Sequence, residues 1–279
     1  MKPIARVIII GWDGAGNFVT SANTPHLDRL VRMGTFDFNA QTAMPTISAQ
    51  CWGSLLHGVA PDKHGLTNEA ASSHAYPDDS PYPSIFRVVR EAYPDAVLAA
   101  FSAWSPINDG IIEPSIGVHK VSMKDRDLSL AAAAYIREHP ELKLMYVQLD
   151  WPDSAGHRHG YNTPEQLRAI EEADEHTGFI LDALEQTGLL DDSMLILVSD
   201  HGGGGADPRD HGSDHPMDKT IFWGCVGPSI ERGASLQGTM TITDTAAVVV
   251  RALGIEAPAS WEAMLPEGLF AKYPGLATL

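Results

Sequence analysis

Short apolar, β-branched runs alternate along this chain with longer segments whose apolar residues recur at helical spacing, which predicts strands separated by helices. Arg6–Ile10 reads as a strand buried on both faces, and Thr24-Pro25 opens a helix carrying Leu27, Leu30 and Val31. A short helix over Ser48–His57 is stopped by Gly58. A helix over Ser84–Glu91 leads into a strand at Ala96–Phe101. Leu128–Glu138 is an alanine-rich helix stopped by Pro140, with a strand at Leu144–Gln148 after it. The longest helix is Thr163–Thr187, where Thr163 can cap, Gln166 can reciprocate and Gly188 marks the end. Strands at Met194–Ser199 and Thr220–Val226 and a helix over Asp244–Leu253 complete the series.

Strands alternating with helices imply an α/β fold with a mostly parallel central sheet sandwiched by helices. With 279 residues, 44% of them hydrophobic, the chain can bury a full core, and we read 1-279 as a single domain. Asn68–Pro83, rich in Ser, Pro, Asp and Tyr, fits the rhythm poorly. A structureless stretch of this length is often functional, so 68-83 is read as a lid, and 104-126 as a second possible cap segment.

The candidate chemistry follows the strands. Asp13 comes just past the first apolar run, Asp153 and His157 past the run at Leu144–Val147, and Asp200-His201 past Leu195–Val198. In an open parallel sheet the carboxyl ends of the strands share one edge, so residues remote in sequence can converge there. Asp200 and His201 can reach one centre only where the strand has ended, and four glycines follow them directly. His211 and His215 lie beyond. Asp13-Gly14 taken alone would be a turn, and any single histidine a surface or core residue. The grouping after strand ends changes that balance. Carboxylate oxygen and imidazole nitrogen without thiolate are donors that zinc accepts, and ligand type leaves manganese open. Asp150 competes with Asp153 but suits the strand end. Ser48 stands at a predicted helix start, where unpaired N–H groups would stabilise an alkoxide; Thr46 is the rival nucleophile.

Net charge narrows the partners. A formal charge of −17 offers no basic footprint for a nucleic-acid polymer, though bound cations could still attract a small anion. Cys51 and Cys225 have neither metal-ligand spacing nor the pattern of a disulfide framework and read as reduced core residues. No apolar run is long enough for a membrane span, and no leader is evident, so the expectation is a cytoplasmic protein that does not engage a membrane.

Laid out in order, the motifs resemble those of the type I phosphodiesterase/nucleotide pyrophosphatase family of the alkaline phosphatase superfamily. They are Asp13-Gly14, Thr24-Pro25-His26-Leu27-Asp28-Arg29-Leu30, Pro45-Thr46-x-Ser48, His57-Gly58 with Pro61 and His64-Gly65, and Asn68. Then come Asp153-x-x-Gly156-His157, Ser199-Asp200-His201-Gly202, His211-Gly212 and Gly227-Pro228. The resemblance implies an alkaline-phosphatase-like fold and hydrolysis of a small phosphorylated substrate through a phosphoryl-serine intermediate. It places the nucleophile on Ser48 and the phosphoryl-holding Asn on Asn68. One divalent metal would take Asp13, Ser48, Asp200 and His201, the other Asp153, His157 and His211, with His215 the alternative to His211. It also implies that the segment after the nucleophile, here Ala49-Gln50-Cys51-Trp52, shapes the leaving-group pocket. Sulfatases share the architecture, but Cys51-Trp52-Gly53-Ser54-Leu55 lacks the Pro and Arg of their modification motif. A phosphomonoesterase, a phosphomutase, a carbon–phosphorus hydrolase and a non-catalytic metal- or phosphate-binding protein are the competing readings.

Overall fold

The computed structural model describes residues 4–271. Seven strands form one sheet: β1 (Arg6–Trp12), β2 (Thr35–Gln41), β3 (Val97–Ser102), β4 (His119–Val121), β5 (Leu142–Leu149), β6 (Ser193–Val198) and β7 (Thr220–Val226). Their order across the sheet is β2-β7-β6-β1-β5-β3-β4. β1 pairs in parallel with both β5 and β6, and β3 with β5 and β4, while β7 runs antiparallel to β6 and β2. Six strands therefore point one way, as the alternating pattern predicts.

The helices are α1 (Pro25–Val31), α2 (Ser48–His57), α3 (Pro61–His64), α4 (Asn68–Ser73), α5 (Ile85–Ala92), α6 (Asp125–Glu138), α7 (Trp151–His159), α8 (Pro164–Thr187), α9 (Pro216–Lys219) and α10 (Thr245–Ala252). Alternation along β1 divides the core. Val7 and Ile9 pack with α2, α5 and α10 on one face, and Ile8, Ile10 and Trp12 with α1, α6 and α8 on the other. With both faces covered, the strands carry continuous apolar runs rather than alternating ones. Cys51 and Cys225 are buried and free.

Two expectations change. Asn68–Pro83 is not without structure: it opens with α4, capped by Thr67, whose hydroxyl accepts the Ala70 N–H. The stretch 104–126 supplies the edge strand β4, paired with β3, and a turn of π-helix at Ile107–Ile111, so it is not without structure either. The sheet also gains β2, which sequence periodicity did not predict, because TFDFNAQ is half-buried at an edge and offers little apolar contrast. No described helix is long and apolar enough to cross a membrane.

Candidate metal centre

The ends of β1, β5 and β6 lie side by side, and each delivers an acid just beyond its last residue. Asp13 follows Trp12. Asp153 follows β5 in the first turn of α7, and Asp200 and His201 follow β6. His157 comes from the last turn of α7, and His211 from the loop between β6 and β7. Two groups result, each with its donor atoms within 4.8 Å of one another: Asp13, Asp200 and His201, all buried, and Asp153, His157 and His211 at the surface side. The backbone must turn sharply after Asp13. Gly14 does so at φ +65°, and a Cβ there would lie 2.6 Å from Asp153 Oδ1.

In the buried group, His201 Nε2 is 3.5 Å from Asp13 Oδ1, 3.3 Å from Asp200 Oδ2 and 3.2 Å from Ser48 Oγ. In the outer group, His157 Nε2 is 3.3 Å from Asp153 Oδ2 and His211 Nε2 is 3.8 Å from Asp153 Oδ1. All three imidazoles direct Nδ1 to a backbone carbonyl: His157 to Arg209, His201 to Gly202 and His211 to Thr46, at 2.8, 2.8 and 2.6 Å. An Nδ1–H held this way leaves a lone pair on Nε2, which is how metal-ligating histidines are fixed.

The carboxylates are oriented as firmly. Trp52 Nε1–H and Gln148 Nε2–H both donate to Asp13 Oδ2 at 2.9 Å. The Gly14 and His201 amides donate to Asp200 Oδ1. The other oxygens, Asp13 Oδ1 and Asp200 Oδ2, are buried without a hydrogen-bond partner. Among the described residues no Lys or Arg forms an ion pair with these acids. Burial, then mutual repulsion, pushes the Asp13 carboxyl well above the ordinary range; burial and the Asp153 charge do the same for Asp200. Buried acids with orphaned oxygens facing imidazole nitrogens lack one component, positive charge. The donor set therefore fits divalent cations.

Ser48 is the first residue of α2, with its hydroxyl on the buried group. Asn68 Oδ1 accepts the Ala49 N–H at 3.0 Å, which holds the Asn68 amide beside the start of α2, next to Ser48 in sequence. Thr46 is committed elsewhere: its hydroxyl donates to the Ser213 carbonyl and accepts the Gly212 amide, pinning the His211 loop. His215 is a helix cap whose Nδ1 accepts the Met217 N–H, outside both groups. Asp150 accepts from Ser154 Oγ at 2.8 Å and from Gln148, also outside them.

Some supporting residues gave no signal in the sequence. Gln148 lies inside an apolar strand, where a lone amide reads as an exception. Asp218 is fully buried and accepts from the Gly205 amide and from the amide and hydroxyl of Ser213, holding the loop that carries His211. The expectation that Ala49-Gln50-Cys51-Trp52 shapes a leaving-group pocket needs correction. Ala49, Cys51 and Trp52 are wholly buried, and Trp52 serves Asp13 from beneath.

Residues 70–220 match the family model for type I phosphodiesterase / nucleotide pyrophosphatase. Rat ectonucleotide pyrophosphatase/phosphodiesterase family member 1 is 25% identical over 200 residues, covering 64% of this chain and 21% of that protein. Human family member 7 is 23% identical over 221 residues, covering 71% and 47%. The chain thus spans half or less of the length of the curated relatives it matches. Among solved structures, murine ectonucleotide pyrophosphatase/phosphodiesterase 5 superposes with a TM-score of 0.76 at 14% identity, over 93% of this chain and 97% of that one. A 2-O GAG sulfatase superposes at 0.73 and 15% identity, over 95% and 73%. These likenesses make the fold alkaline-phosphatase-like. With more than half of its length matched by the family model, the chain belongs to the type I phosphodiesterase / nucleotide pyrophosphatase family.

Proposed function

We propose that this protein hydrolyses phosphate esters of the phosphodiester or nucleotide pyrophosphate type through a phosphoryl-Ser48 intermediate. The observation that carries the reading is Ser48 Oγ at 3.2 Å from His201 Nε2, beside two carboxylates whose inward oxygens are unpaired. Asp13, Asp200, His201 and Ser48 would hold one divalent cation and Asp153, His157 and His211 the other, zinc or manganese by donor type. Bound there, the pair would supply the positive charge that stabilises a serine alkoxide and the phosphoryl oxygens. A structure of murine ectonucleotide pyrophosphatase/phosphodiesterase 5 carries AMP, which supports a nucleotide-type substrate.

The chain's own residues account for the remaining steps. α2 presents Ser48 Oγ at its amino terminus, where the first-turn amides favour developing negative charge. Ser48 Oγ, its proton given up to solvent, bonds to phosphorus as the ester oxygen departs with the electron pair of the broken P–O bond and takes up a proton from water. Asn68, anchored on Ala49, stands where it can donate to a phosphoryl oxygen. Water then attacks phosphorus from the vacated side, breaking the Ser48 Oγ–P bond and restoring the hydroxyl. A cavity of about 640 Å³ lined by Ser122–Arg126, Asp150 and Ser154, the last next to Asp153 in sequence, is the candidate recess for the esterified group; it involves 104–126 and none of 68–83.

A sulfatase reading is disfavoured by Cys51, which is buried with Sγ against the Ala43 and Pro45 carbonyls. A mutase would need cations for a second phosphate; of Lys63, Arg158, Arg209 and Lys219, Lys63 is paired with Glu262 and Arg158 lies over the Trp151 ring, which leaves Arg209 and Lys219 for that role. The deciding experiment is turnover of p-nitrophenyl phosphate and bis-p-nitrophenyl phosphate with and without chelator, on the native chain and on Ser48→Ala. We expect chelator-sensitive turnover favouring the diester, abolished in Ser48→Ala with metal content kept. Full activity of the purified variant would refute the covalent step, and absence of any turnover would leave a binding protein.

A further inference from the structure

We infer that Tyr161 is the positioning residue of the outer metal group, setting the cation affinity of that group independently of the buried one; this rests on the two-cation reading above. The residue was not singled out by any motif, yet it touches all three ligands. Its hydroxyl donates to Asp153 Oδ1 at 2.6 Å, and its ring meets His157 and His211 edge-on, with centroids 5.7 and 6.1 Å away.

The surroundings are built to this side chain. Tyr161 is 5% exposed. Its ring lies in a slot between two segments that each carry ligands: a Cβ on Gly156 of α7 would come within 2.5 Å of it, and one on Gly203 within 2.6 Å. Neither glycine takes a left-handed φ, so at both positions the requirement is space rather than backbone freedom. The Tyr161 amide is tied to the Pro208 carbonyl at 2.9 Å. Ring and hydroxyl are therefore fixed from both sides.

The two groups consequently differ in kind. The buried group has two carboxylates whose inward oxygens are unpaired, whereas the outer group has one, and one of its oxygens already accepts a proton donor. That bond fixes the Asp153 rotamer and so directs Oδ2, the oxygen nearer His157, toward the cation position. The outer group is then the weaker, exchangeable cation site, and Tyr161 determines its strength. Losing such an outer partner typically lowers metal affinity ~10- to 100-fold.

The test is equilibrium dialysis of metal-free protein against Zn2+ alone, for the native chain, Tyr161→Phe and Gly156→Ala. Tyr161→Phe keeps the ring contacts and removes only the hydroxyl. Gly156→Ala keeps the hydroxyl but takes the ring's space, on a helix where Ala is otherwise favoured. We expect two cations on the native chain, and in both variants ~10- to 100-fold weaker binding of one cation with the other unchanged. The loss should persist in an Asp13→Asn background and vanish in a His211→Ala background. Two unchanged affinities in Tyr161→Phe would overturn the inference, as would equal weakening of both sites. A folded native chain that takes up no cation would instead remove the two-cation reading on which it stands.

Discussion

The imidazole rings of His201 and His211 are stacked, with centroids 3.8 Å apart and planes 17° from parallel, although they belong to different ligand groups. Two rings so close cannot both carry charge without another to balance it. Burial, and after it the His211 ring, pulls the His201 pKa down to about 3, so His201 is a neutral donor across the physiological range. The stack also makes the two groups neighbours, as in-line displacement by two cations needs.

Protonation should therefore report on metal loading. The Asp153 hydrogen bond raises the His157 pKa to about 9, and burial raises Asp13 and Asp200. Folded pKa values above the unfolded ones stabilise the metal-free protein at low pH; for His157 the gain is complete below ~6.5 and lost as pH climbs through about 9. Cations compete with these protons, so the loaded protein should not share the loss. Thermal melts from pH 6.5 to 9 should show a falling Tm for chelated protein and a flat or rising one for loaded protein. Parallel curves would contradict this assignment.

Trp52→Phe deletes the indole N–H from Asp13 Oδ2 and leaves Gln148 as the remaining side-chain donor to that oxygen. The buried ring also loses volume. We expect ~1–3 kcal/mol lower stability and roughly tenfold weaker binding at the buried site, measured by denaturant unfolding and metal titration. Unaltered metal binding would show that Trp52 contributes packing alone.

Asp218→Asn replaces an acceptor for three donors by a group that must direct an amide hydrogen at one of them. The loop carrying His211 should loosen at a cost of about 2 kcal/mol, with turnover falling at least tenfold. Binding at the buried site should persist. If His211 is held by Thr46 alone, turnover will be unaffected.

His211→Ala and His215→Ala should separate cleanly. The first removes an outer ligand and should abolish turnover. The second removes a cap of α9 worth under ~1 kcal/mol and should keep most activity. Equal losses would mean that His215 also serves the metal centre.

Much of the fold was readable from local pattern. β7 and α2 have the predicted bounds, and α8 starts one residue later than expected, because Thr163 is its cap. Edge elements were not: β2 and β4 depend on a neighbour's ladder for stability rather than on their own apolar content. Among site residues, those that bear metal-type donors were legible because they recur just past apolar runs. Gln148, Trp52, Tyr161 and Asp218 were not, since an amide, an indole, a phenol or a lone acid carries no motif of its own. Their roles follow from contacts across 135, 39, 8 and 5 positions.

Sequence alone determined which side chains could bear the chemistry and that parallel strands would bring them to one edge, because hydrophobic period and donor type are local properties. The tertiary structure decided which of them meet. It grouped His211 rather than His215 with Asp153, committed Thr46 to the His211 loop and left two carboxylate oxygens without partners. Those outcomes depend on ring orientation and angstrom-scale approach between segments remote in the chain, which only the packed sheet and its loops fix.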